Sequence, residues 1–430
     1  MTSADRPAPA VHPAPAARGN SAGDGGRPVA PDVAAARAVA IAIAVSGTET
    51  LPLLDATGRV TARDVFARHD VPPFDNSAMD GYAVRLRDLG GDGPWRLKLE
   101  GRSAAGDTLS PGELPPQSAR RILTGAPVPA GFDAVVMQEH CSVDGGSVTV
   151  TMRPRAGQNI RRAGEDVRDG DALLSRGDLL TPQKLALLAG SGISEVAVFR
   201  KVRIGLISTG SELREPGETL QPGQIHNSNR IVLRAMLQAM PWAQVNDFGI
   251  VPDDRAKLEA VLRAAAANCD AIVSTGGVSE GEEDHVAAIM RDGGATLEVV
   301  QVAMRPGKPV KIGRIGNALF AGLPGNPNSA LITFRRIALP ALRAMAGLRA
   351  VEPPWQAGIA GFSHPKKPGR TEFVPVRFTG EVRQGVPVLA LLARGSSASL
   401  SAMAQADGIA QLPPEDEVIE PGTLLRFEPM

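Results

Sequence analysis

Beyond Lys201 the chain alternates continuous apolar runs with amphipathic ones. "KVRIGLIS" has the unbroken apolar character of a strand covered on both faces. "NSNRIVLRAMLQAM" repeats apolar positions at helical spacing, with Asn227 or Ser228 placed to cap it. "AQVNDFGIV" and "DAIVSTGG" have strand character. "DDRAKLEAVLRAAAANC" and "EEDHVAAIMRDGG" have helical character. "TLEVVQVAM" and "NALFAGLPG" predict two more strands, and "NPNSALITFRRIALPALRAM" a last helix. This alternation predicts a parallel α/β sheet covered on both faces, spanning 201–347.

The pattern before and after differs. From 46 to 200, short β segments such as "GPWRLKLEG" and "GSVTVTMRP" are broken by Gly and Pro. One helix is expected at "TPQKLALLAGSG", capped by Thr181, with Pro182 in its first turn. "VAAARAVAIAIAV" (33–45) reads as a packed helix with Asp32 as N-cap. It is interrupted by Arg37 and is shorter than the roughly 20 residues of a membrane span. Residues 32–200 are thus expected to form a β-rich region with a helical unit. A Pro-rich join follows Gly347, and 356–430 returns to short strands, the pattern of a β-barrel-like domain. The first 31 residues, rich in Ala, Pro and Gly, read as a disordered tail.

Composition narrows the function. The formal net charge is +0 and aromatics make up 3% of the chain, which argues against nucleic-acid binding by bulk charge or base stacking. There are two cysteines, Cys141 and Cys269, outside any zinc-type spacing. Both are expected to be buried small apolar residues of a cytoplasmic protein without a membrane segment.

The chemistry concentrates where strands end. "LISTGSEL" and "IVSTGGVSEGEED" both run from apolar residues into Ser-Thr-Gly and then into acids. Glycine lets backbone approach a ligand closely and exposes N–H donors, so Ser208, Thr209, Gly210 and Thr275, Gly276, Gly277 are candidates for an anion cradle. A bare phosphate would call for Lys or Arg rather than carboxylates. Glu212 and Asp284 fit if Mg²⁺ stands between them and a phosphate or pyrophosphate. "MRPGKPVK" adds Arg305, Lys308 and Lys311 as positive charge. "GLPGNPNSA" sets Pro324, Gly325 and Pro327 in a stiff turn that opens a helix, capped by Asn326 or Asn328. In the first half, "VPPFDNSAMDGYAVR" supplies Asp75, Asn76, Ser77, Asp80, Tyr82 and Arg85. "RILTGAPVPAGFDAVVMQE" adds Thr124, and "AGQNIRRAGEDVRDGD" packs Arg161, Arg162, Glu165 and Asp166 into one loop.

Together these motifs, in this order from about residue 32 to the C-terminus, resemble the molybdopterin molybdenumtransferase family, often called MoeA and related to the C-terminal part of gephyrin. The resemblance implies insertion of molybdate into adenylylated molybdopterin, with Mg²⁺-dependent cleavage of the phosphoanhydride and release of AMP. It also implies a homodimer whose cleft is shared, and other molybdenum cofactor biosynthesis proteins as possible partners. By motif, Asp80, Thr124, Arg161 and Asp166 would come from one subunit. Glu212, Asp253, Asp284, Arg305, Lys308, Pro324 and Pro327 would come from the other, with Ser397 near the molybdate. Catalytic roles would fall to Asp80, Thr124, Asp166 and Asp253, and metal binding to Glu212 and Asp284. Ser211 stands where many members carry Asp, Gln301 where a Lys is expected, and Arg305 where Lys is common. Two alternatives are a molybdopterin adenylyltransferase, which resembles 201–345 alone, and a gephyrin-like scaffold protein.

Overall fold

The computed structural model describes residues 28–108, 114–277, 285–292, 295–307, 309–392 and 399–430. Its centre is a six-stranded sheet. In chain order its strands are β1 (Val202–Thr209), β2 (Ala243–Val251), β3 (Ala271–Thr275), β4 (Thr296–Val300), β5 (Val310–Ile315) and β6 (Ala318–Leu323). Across the sheet the order is β2-β1-β3-β6-β5-β4. β2, β1, β3 and β6 are parallel, as the alternation predicts. β5 and β4 run antiparallel to their neighbours, which the alternation does not predict. The cause is local: Gly316 and Asn317 form a two-residue hairpin loop between Ile315 and Ala318, too short for a crossover helix.

Apolar residues face both sides of this sheet. On one side Ile204, Leu206, Val273, Val310 and Ile312 join Leu233 and the last helical run. On the other, Ile207, Ile272 and Phe320 meet Leu258, Leu262, Val286 and Ile289 of the helices Arg255–Asn268 and His285–Asp292. The last run is α-helical over Pro327–Thr333, widens to a π turn over Phe334–Ala338 and resumes over Leu339–Met345. The wide turn lies just before Pro340, whose missing N–H and bulky ring break the regular ladder.

The first helix spans Pro31–Ile41. Pro31 holds its first position and Ala30 is the N-cap, so Asp32 lies in the first turn rather than at the cap. Although it precedes the β-rich region, its Ala34 and Ala38 pack into the α/β core, where small side chains permit close approach. The end of the expected tail joins the body as well. Val29 pairs with Val302, donating to Gln301 O at 2.8 Å and accepting from Ala303 N at 2.7 Å. The helix Pro182–Gly190 is capped by Thr181, and the helix Ser228–Gln238 by Asn227.

The region before the central sheet carries its own six-stranded sheet, built from segments between Gly81 and Val150. Its core holds Val84, Leu89, Leu97, Val136 and Val148. At the other end of the chain, Thr371–Arg383, Val386–Leu391, Gln356–Ala360, Leu424–Pro429 and Gly408–Leu412 pair in turn. The last returns to the first, closing a five-stranded barrel. Met304–Arg305 adds to its edge beside Thr371 and Glu372, tying the barrel to the central domain. Cys269 is buried and Cys141 is half-buried rather than buried. Burial pushes both thiols up, Cys141 to about 11, so neither is a nucleophile at neutral pH. Among the described residues no helix is long and apolar enough to cross a membrane.

Candidate functional site

The chain leaves β1 to form β2 on one flank, then returns to place β3 on the other. The crevice of such a sheet opens beyond the C-terminal ends of strands where the order reverses, here between β1 and β3. Both Ser-Thr-Gly turns sit there. Register aligns Val251, Thr209, Thr275 and Leu323 across four neighbouring strands: Thr209 opposes Val251, Ser208 opposes Thr275, and Thr275 opposes Leu323. The row beyond those ends therefore runs Asp253, Gly210-Ser211, Gly276-Gly277 and Pro324-Gly325.

The two turns interlock. Thr209 Oγ1 donates to Thr275 O at 3.4 Å, and Thr275 Oγ1 donates to Ser208 Oγ at 3.3 Å. All three side chains are buried, so their hydroxyls fasten turn to turn instead of facing a ligand. A Cβ on Gly276 would lie 2.2 Å from Thr209 O, and one on Gly210 would lie 2.5 Å from Glu212 Oε2. Both glycines also have positive φ, +81° and +151°. Their N–H groups are committed as well: Gly210 donates to Val251 O and Gly276 to Leu323 O. The Gly210 and Gly276 N–H groups thus continue their strands' ladders one residue into the turn, and both glycines serve close backbone approach.

Carboxylates border this row. Asp253 Oδ2 accepts from Ser211 N at 2.9 Å, and Ser211 Oγ accepts from Asp253 N at 3.0 Å. Ser211 is therefore half of a reciprocal clasp that fixes the first turn. Glu212 is exposed, with its carboxylate turned back over Gly210. Lys311, expected to supply positive charge, is 1% exposed, and its Nζ donates to Gly277 O at 3.1 Å. It braces the second turn from within, and burial brings its ammonium down to about 8. At the next strand end Pro324 is buried and Gly325 exposed, and Gly325 O accepts from Asn229 Nδ2 at 2.6 Å. Asn229 gives little signal in the sequence, because it stands between Ser228 and Arg230 in a polar first turn. Asn326 occupies the N-cap without a side-chain bond, and Pro327 begins the helix. Asn328 Nδ2 donates to Ser399 O at 3.3 Å. Arg305 is exposed on the barrel edge. Asp284, Lys308 and Ser397 lie outside the described residues.

A second cluster forms in the β-rich region. Asp80 Oδ1 accepts from both Thr124 N, at 2.7 Å, and Thr124 Oγ1, at 2.8 Å. These donors, the backbone one foremost, hold the exposed Asp80 carboxyl below its ordinary value. Ile160–Arg161 pairs with Asn76–Ser77, so Arg161 opposes Asn76. Arg161, Asp166, Glu165, Asn76, Val71 and Pro72 line a cavity of about 470 Å³, and buried Asn76 Oδ1 has no hydrogen-bond partner there. Asp75 closes the loop by accepting from Ala163 N at 2.9 Å and from Arg162. No hydrogen bond or ion pair between described residues joins this cluster to the strand-end row within one chain.

Arg85 is structural. It is 1% exposed, donates to Asp88 Oδ2 at 2.8 Å, Leu114 O at 2.9 Å and Ser118 Oγ at 3.1 Å, and stacks 5.0 Å over Phe132. Arg85→Met strands a buried carboxylate and three further acceptors, Pro115 O among them. It is expected to destabilise the β-rich region by about 3–5 kcal/mol. Urea unfolding followed at Trp95 would report this, and an unchanged midpoint would refute it.

Comparison with known proteins fits this arrangement. Family models match in sequence order: the MoeA N-terminal region (domain I and II) over 31–192, a probable molybdopterin binding domain over 205–344, and the MoeA C-terminal region (domain IV) over 357–430. Molybdopterin molybdenumtransferase of Haemophilus influenzae is 43% identical over 328 residues, 76% of this chain and 80% of that one. Molybdopterin molybdenumtransferase 2 of Mycobacterium tuberculosis is 41% identical over 336 residues, 75% of this chain and 82% of that one. The crystal structure of the molybdopterin biosynthesis moeA protein from Pyrococcus horikoshii superposes with a TM-score of 0.79 at 27% identity, covering 94% of this chain and 100% of the other. With the N-terminal region, the central α/β domain and the closing barrel all matched, the chain belongs to the molybdopterin molybdenumtransferase family of enzymes.

Proposed function

We propose that this protein inserts molybdate into adenylylated molybdopterin, cleaving the phosphoanhydride and releasing AMP. The observation that carries this is the interlocked pair of glycine turns at the switch point, bordered by Glu212 and Asp253. Gly325, at the next strand end, has open space where a Cβ would lie and admits a phosphate-bearing ligand closely, while carboxylates along the row call for a cation between. Mg²⁺ takes one or two carboxylates and completes its shell with phosphate oxygens and water, so few acids are needed beside a phosphate. Glu212 and Asp284 would hold it. Bound there, it would offset phosphate charge and polarise the anhydride.

The chain's own residues supply position. The Ser211–Asp253 clasp and Lys311 keep both turns rigid, and Asn229 fixes the turn at Gly325. Arg305 presents a planar cation for an oxyanion, suited to two-point contact. Asp80, oriented by Thr124 and held ionised, stands with Arg161 and Asp166 on the second cluster. In our reading the protein acts as a homodimer in the cytoplasm, with the Asp80 cluster of one chain facing the strand-end row of its partner.

The test is a two-substrate comparison. Purified protein with adenylylated molybdopterin, molybdate and Mg²⁺ is expected to release AMP and leave molybdenum on the dithiolene. With ATP and metal-free molybdopterin it is expected to form no adenylylated product. The reverse pattern would make it an adenylyltransferase, and inactivity in both would favour a scaffold.

A further inference from the structure

We propose that Glu372 and His364, two buried barrel residues, act as positioning residues that hold Arg305 in its anion-binding orientation. This inference rests on the reading of Arg305 as a substrate contact. In the parallel pairing of Met304–Arg305 with the barrel, Arg305 stands opposite Glu372, so both side chains emerge on the same face. Glu372 is 3% exposed. One of its oxygens lies 3.5 Å from Arg305 Nη1, and the other accepts from His364 Nε2 at 3.1 Å. A buried carboxylate needs such partners to offset its lost hydration. His364 is buried too, while 53% of the Arg305 side chain stays exposed. The relay thus has a fixed inner end and an accessible outer one.

A guanidinium has five donors in one plane. Contact with Glu372 on one edge sets the direction of that plane and leaves the outer donors to address a phosphate or molybdate oxygen. Arg carries more rotamer freedom than most side chains, so restraining it before the ligand arrives removes part of the cost of binding. A Lys here would be a point charge with no plane to orient. The relay therefore matters because this chain carries Arg.

Two effects of Glu372 oppose each other, and their sign separates them. As a negative charge near the anion it weakens binding, so its removal would lower KM. As an orienting group it strengthens binding, so its removal would raise KM. The structure favours the second: Glu372 is buried on the barrel side, whereas the outer part of Arg305 meets solvent, where charge effects are screened.

The experiment measures KM and kcat for adenylylated molybdopterin in AMP release by the full chain, with Arg305→Ala, Glu372→Met, Glu372→Asp, His364→Leu, His364→Gln and the double variant Arg305→Ala/Glu372→Met. Arg305→Ala is expected to raise KM about tenfold. Glu372→Met should raise it about fivefold, with kcat within about twofold. His364→Leu should give a smaller rise, and His364→Gln, which keeps an N–H donor, should restore the wild-type value. The double variant should be no worse than Arg305→Ala, because the relay acts only through that residue. Should Glu372→Met not fold, Glu372→Asp carries the same test, with a partial rise from its shorter reach. A wild-type KM in Arg305→Ala overturns the reading of Arg305 itself. A raised KM in Arg305→Ala beside an unchanged or lowered KM in the Glu372 and His364 variants overturns the relay alone, as does a double variant whose effects multiply.

Discussion

Glu212→Ala is expected to cut AMP release by about 100-fold or more while leaving the fold intact. The side chain is exposed and its carboxylate makes no hydrogen bond to another described residue, so stability should change by no more than about 0.5 kcal/mol. The backbone of residue 212 keeps its place through the bond from Ile225 N, at 2.9 Å, which the substitution does not touch. What is lost is the charge over Gly210, where we place Mg²⁺. Raising Mg²⁺ should restore part of the rate, since a weakened site fills at higher concentration. AMP release at the wild-type rate with ordinary Mg²⁺ would remove Glu212 from the metal site.

The central domain was legible in the sequence because its signals are local. Apolar runs marked β1, β2, β3 and β6, and helical spacing marked the intervening helices. Thr181 and Asn227 announced the caps they form. Asp32 misled, since Pro31 one residue earlier already occupies the first helical position. β5 was missed because the segment "VKIGRI" was weighed for its charge; the Gly316-Asn317 loop that follows was the available hairpin signal. Strand direction at that edge depended on this turn, which helix–strand alternation does not register.

At the site, the sequence identified which segments meet but not which way their side chains point. The motifs suggest ligand contacts at Ser208, Thr209 and Thr275, and register turns their hydroxyls toward the neighbouring turn. Whether a strand's last hydroxyl faces out or across depends on the neighbouring strand 66 or 67 residues away. The same holds for Thr124 on Asp80, 44 residues apart, and Ala163 on Asp75, 88 residues apart. Lys311 shows the difference most plainly: its charge suggests an anion contact, while its place on β5 buries it against Gly277 O.

The most direct test of the shared cleft mixes two inactive chains. Asp80→Ala removes the carboxylate of one cluster, and Glu212→Ala that of the other. Asp80 is exposed and its carboxylate bonds only Thr124 among the described residues, while its carbonyl's bond from Gln138 N survives the substitution, so both variants should fold. If the clusters work across a dimer, a mixed dimer pairs one intact Asp80 surface with one intact Glu212 surface, and its other cleft carries both lesions. Random exchange makes about half of all dimers mixed, each with one good site of two, so roughly a quarter of wild-type AMP release should return. Co-expression of differently tagged chains and tandem purification isolate the mixed species, in which about half the wild-type rate is expected on the same symmetry argument. Purified mixed dimers as inactive as their parents would show that each cleft is built within a single chain, contrary to this account.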